Sequence, residues 1–169
     1  MAKQTTPAEA AKRVMAGEQP AAVLGVTREQ VLALVALGYN KYQQGRLDDA
    51  EVIFRGVAGL DATSYLGFAG VGAVALAKKP ADLETAYTNL AKAAELKPDD
   101  GTVQANLGEV LLRQGKIEEA KTHMEKAFAL DPDRKDPGVN RARALVAGLA
   151  LIVQEAEKRQ ARVETAKAS

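Results

Sequence analysis

The sequence has no cysteine, no tryptophan and a single histidine. The first absence excludes disulfide frameworks, thiol nucleophiles and sulfur-ligated metals, and it suits a reducing compartment. Aromatic residues make up 4% of the chain, so a core must be filled by smaller side chains. No charge sign dominates: 23 basic against 22 acidic residues give a net charge of +1, with no global pull toward nucleic acid or acidic substrates. Long apolar runs are missing too. The longest uncharged stretch, 62–77, is too short and too rich in glycine, serine and threonine to span a membrane. The first twenty residues lack the apolar run of a secretory signal. These absences predict a soluble, cytoplasmic protein without metal or cofactor.

What is present is alanine, in a regular pattern. Ala50, Ala86 and Ala120 recur at spacings of 36 and 34 residues. Each stands four residues before a large apolar side chain (Phe54, Leu90, Met124) and seven before a smaller one (Val57, Ala93, Ala127). Leu60, Leu96 and Leu130 close the pattern. Self-similarity at this period marks a helical repeat array. Within 106–132, Gly108, Ala120 and Ala127 are small because two helices cross closely only where side chains are small. Gly115 ends the first helix of the pair in a left-handed conformation, and Pro132 stops the second.

The pattern resembles the tetratricopeptide repeat, an antiparallel helix pair, over roughly 31–132. The third unit fits best, with Leu107, Gly108, Leu111, Ala120, Met124, Ala127 and Pro132 on the family pattern and Gln104 where a large residue is usual. The second carries two extra residues around 79–81. The expected fold is all-α: an N-terminal helical segment (1–27), three helix pairs (28–63, 64–99, 100–135), a capping helix (136–157) and a charged, solvated tail (158–169) that frays at its end. Thr6 with Pro7 and Glu9, and Thr27 with Gln30, read as helix starts. Asp136-Pro137 opens the last helix, whose stripe Leu145, Leu149, Ile152 and Ala156 is expected to cover the third pair.

Catalytic chemistry finds little support. The run Gly70-Val-Gly72-Ala-Val-Ala75 spells a dinucleotide loop, but no strand precedes it, and Gly72 falls on a small contact position. His123 has no nameable partner to orient it and reads as an exposed helix position. The pairs Asp48-Asp49, Asp99-Asp100 and Glu118-Glu119 diverge on a helix and read as caps and first-turn acids. Basic residues, including Lys158, Arg159 and Arg162 of the tail, form no stripe for nucleic acid.

Surface shape remains. The first helices of stacked pairs line a concave side. Their inward positions are Leu32, Val35, Tyr39 and Tyr42, then Tyr65, Leu66, Ala69, Ala73 and Leu76, then Ala105, Glu109, Leu112 and Arg113. Five of the seven aromatics lie within 39–68; Phe54 and Phe68 take core positions, which leaves Tyr39, Tyr42 and Tyr65 as candidate peptide anchors.

Residues 28–73 resemble more specifically the class II chaperones of type III secretion, which hold translocator proteins before export. The likeness rests on Tyr42, Gly45, Arg46, Asp48-Asp49, Ala50 and Phe54, on Leu60-Asp61 without a following proline, and on the run Gly70 to Ala73. It implies a non-catalytic cradle that binds an extended translocator-like client segment through Tyr39, Tyr42 and Tyr65. It also implies a homodimer through the N-terminal helices. The alternative reading is a general scaffold or adaptor subunit of a larger assembly.

Overall fold

Successive helices, stacked in pairs, carry the chain in this computed structural model, which describes residues 6–168. Residues 1–5 and 169, parts of the expected N-terminal segment and tail, lie outside the described residues, as do the side chains of Arg162 and 165–168. The elements are α1 (Pro7–Met15), α2 (Pro20–Leu24), α3 (Arg28–Gln43), α4 (Leu47–Leu60), α5 (Tyr65–Ala77), α6 (Leu83–Leu96), α7 (Gly101–Arg113), α8 (Ile117–Leu130) and α9 (Pro137–Ala168). No strand occurs among the described residues. The pairs are α3–α4, α5–α6 and α7–α8, and the second helix of each packs on the first helix of the next.

Local chemistry sets the ends. Thr6 and Thr27 form capping boxes with Glu9 and Gln30, so both expected helix starts are found. Asp82 and Asp100 cap α6 and α7, while Asp48, Asp49, Glu118 and Glu119 sit in first turns, where negative charge meets the positive end of the helix dipole. Gly45 and Gly115 adopt φ of 73° and 78°, a left-handed conformation that ends α3 and α7 cheaply. The second pair lacks such a glycine. Its two-residue insertion follows Lys78, whose ammonium binds Glu51 (2.5 Å) and Asp48 (3.1 Å) of α4.

Packing explains the small residues. A Cβ added at Gly108 would meet Met124 Cγ at 3.0 Å and the Ala120 carbonyl at 3.2 Å; one at Gly72 would meet Leu90 Cγ at 2.5 Å and the Ala86 carbonyl at 3.2 Å. Gly38 plays the same part against Phe54. Each first helix therefore offers a glycine to the large residue of its partner helix. Gly70 presses on Phe54 from the neighbouring pair, so the run from Gly70 to Ala75 is helix interior, buried but for the half-buried Ala73. Phe54 and Leu90 are fully buried, each contributing about 1.5–3 kcal/mol.

The last helix differs from expectation. Its buried contacts on α7 and α8 come from Val139 and Ala142, with Leu145 partly buried beside them. Leu149 and Ile152 of the expected stripe are exposed instead, because α9 leaves the body after about two turns. It continues as one helix through Ala168, ~48 Å in all at ~1.5 Å per residue.

Candidate functional site

Tyr39, Tyr42, Tyr65, Leu66, Ala69 and Ala73 converge on one cleft of about 480 Å³. Its far wall comes from Thr102, Val103 and Asn106 of α7 and from Asp136 to Gly138 and Arg141 at the start of α9. Tyr39 stacks edge-on against Phe54, with ring centroids 5.1 Å apart, so the core fixes its ring. Burial first, and then the charge of Asp100, push the Tyr39 hydroxyl up to about 12. Burial and Asp100, by charge and by hydrogen bond, raise Tyr65 as well. The Tyr65 hydroxyl thus donates to Asp100, at the acidic end of the cleft.

A smaller recess of about 150 Å³ shares Tyr42, Ala73, Asn106 and Arg141 with the cleft and adds Leu76, Lys78, Lys79 and Arg113. Beneath it lies Glu109. This buried carboxylate accepts from Arg113 (2.5 Å) and Arg141 (2.7 Å), and Arg141 also donates to Asn106 Oδ1 (2.6 Å). The trough is therefore cationic at one end and carries Asp100 and Asp136 at the other.

Two expected groove positions, Val35 and Ala105, are core instead. Val35 packs with Val31, Ala50 and Phe54, and Ala105 with Met124, Ala127, Val139 and Ala142. Leu112 is half-buried against the cluster that holds Leu76. Leu32 lines a separate cleft of about 590 Å³ shared with α2 and the start of α5. The cause in the third pair is α9. It packs chiefly on α7, covers the face bearing Ala105 and Glu109, and leaves Thr102 and Asn106 toward the cleft. Thr102, Asn106 and Arg141 were missed. The available signal for the first two was their spacing of four residues, which places Thr102 and Asn106 on one face of α7.

His123 is half-buried, not exposed. Its Nδ1 meets Gln104 Oε1 at 2.7 Å, and Gln104 donates from Nε2 to the Pro98 carbonyl at 3.0 Å. The pair faces a cleft on the opposite side, between α6 and α8. Among the described residues no cluster of three or more histidine, cysteine or carboxylate side chains is placed to hold a metal, and no helix is long and apolar enough to cross a membrane.

The tetratricopeptide repeat model matches residues 77–149. The array is a tetratricopeptide fold. No curated protein matches the chain. Among solved structures, these repeats are similar to a type III secretion complex from Aeromonas hydrophila, at 25% identity and a TM-score of 0.65, covering 90% of this chain and 98% of that one. They are also similar to PcrH of Pseudomonas aeruginosa in complex with the chaperone binding region of PopB, at 27% identity and a TM-score of 0.60, covering 71% and 97%. The translocator chaperone SycD of Yersinia enterocolitica shares the fold at 22% identity and a TM-score of 0.62, covering 76% and 96%.

Proposed function

We propose that the trough between α3, α5 and the α7–α9 junction holds an extended segment of a partner polypeptide, and that the protein is a non-catalytic chaperone for a translocator-like client in the cytoplasm before export. The observation that carries this reading is the convergence of Tyr39, Tyr42 and Tyr65 on a single cleft. Tyrosine supplies contact area with few rotatable bonds, and a rigid scaffold lowers the cost of ordering the bound segment. The likeness to PcrH bound to the chaperone binding region of PopB supports the same assignment. Repeats α3–α8 form the cradle.

Charge adds a preference. Lys78, Lys79, Arg113 and Arg141 line one end of the trough; Glu51, Asp48 and Glu109 offset three of these charges, and the remaining positive charge seats an acidic residue of the client there, with Asp100 and Asp136 facing its basic or neutral end. Co-expression with proteins encoded beside this one tests the reading: one otherwise insoluble client stays soluble. Tyr42→Ala and Tyr65→Ala each weaken capture of a labelled client segment at least ~tenfold by fluorescence anisotropy, with the circular dichroism spectrum retained. Normal capture by both variants ends the groove assignment.

A further inference from the structure

We propose that the distal half of α9 is a dimerisation helix on which two copies of this chain pair in parallel as a short coiled coil. From Val146 onward every described side chain of α9 is exposed, although the segment is far from uniformly polar. Val139, Ala142, Val146, Leu149, Val153, Ala156, Gln160 and Val163 are spaced alternately by three and four residues. That is a heptad seam, with Val139, Val146 and Val153 at its a positions and Leu149 at d.

The seam begins inside the protomer and outruns it. Val139 and Ala142 are 0% and 1% exposed against α7 and α8, whereas Val146, Leu149, Val153 and Val163 are 38%, 38%, 56% and 52% exposed. One continuous stripe thus changes from paired to unpaired where α9 leaves the body. A single helix of this length is marginal in water and gains most of its stability from a packed face.

The seam suits its own copy. Valine at a with Leu149 at the first exposed d favours two strands, Ala156 and Val163 following at d, and one polar a residue, Gln160, penalises shifted registers. A parallel pair sets Arg159 at g opposite Glu164 at e of the next heptad, twice by symmetry. Arg159 makes only a loose 3.7 Å contact with Glu155 within its own helix. Residues 146–169 hold three acids and four bases, so repulsion between copies is small. The surface is separate from the tyrosine trough and does not depend on a client.

Sedimentation of the full chain over a concentration series provides the test. The wild type dimerises, and the Val146→Asp/Val153→Asp variant raises the dimer dissociation constant at least ~tenfold. The repeat body keeps its melting midpoint, because both sites are exposed in the protomer, while helical content falls as the unpaired end of α9 loses its packed face. The chain has no cysteine of its own, so Val153→Cys and Gln154→Cys are single-thiol probes. Parallel, in-register pairing oxidises the first to a covalent dimer at least ~tenfold faster than the second, which points away from the seam. A monomer at every concentration overturns the proposal. So does a dimer that survives the aspartates, which places assembly elsewhere, or equal oxidation at the two positions.

Discussion

A single ring organises the first two pairs. Phe54 is met by Gly38 from its own pair and by Gly70 from the next, so its site tolerates no added methyl group on either side. At Gly67 the close neighbour is backbone, which cannot turn aside: a Cβ would lie 2.6 Å from the backbone nitrogen of Ala58. Gly67→Ala therefore destabilises the protein by about 1–3 kcal/mol in denaturant titrations. Gly56, also helical but with open space around it, gives the opposite sign: Gly56→Ala stabilises by about 0.5–1 kcal/mol. The glycine and alanine contacts were legible in the sequence because close packing imposes a period. The burial of His123 was not. Gln104 stands where a large apolar residue is usual, and it is buried because the Pro98 carbonyl and His123, from distant turns, satisfy its amide. Burial first, then Lys126, holds the His123 imidazole below its usual 6.5 against a smaller opposing effect of Glu119. As pH falls the unfolded chain takes up the proton first, so this contribution is whole above pH 6.5 and is lost as pH drops through the lower folded value. His123→Gln removes that part of the descent, read as the difference between the two stability–pH curves.

Among the elements, α9 is the one whose consequences were hardest to foresee. Its start was legible from Asp136-Pro137, and its role as a cap from the open face of the third pair. Its effect on α7 was not, because the groove register of a helix depends on what covers its other side. Asp136 ties the junction together: its Oδ1 accepts from the Gly138 and Val139 amides at 2.8 and 3.1 Å and from the Thr102 hydroxyl at 2.6 Å. Asp136→Ala costs about 1–2 kcal/mol in thermal or chemical unfolding. Glu109 gives a sharper test. Arg113→Ala or Arg141→Ala alone leaves one guanidinium on the carboxylate and costs about 1 kcal/mol. The double variant strands a buried charge and costs about 3 kcal/mol, so the two effects exceed additivity in a double-mutant cycle.

The molecule as a whole is a stack, in which each pair is stabilised by its neighbours and the last needs a lid. A chain ended after residue 150 keeps Val139, Ala142 and Leu145 seated, and it retains its melting midpoint and client capture. One ended after residue 135 bares Ala105, Met124 and Ala127 and loses solubility on expression. Comparing soluble yield and melts of the two truncations checks both outcomes. The glycines around Phe54 set the angle at which the first two pairs meet, and that angle sets how far apart Tyr39 and Tyr65 stand. Evolution can therefore retune which partners fit by changing a hinge of missing methyl groups, leaving every residue that faces the partner as it is.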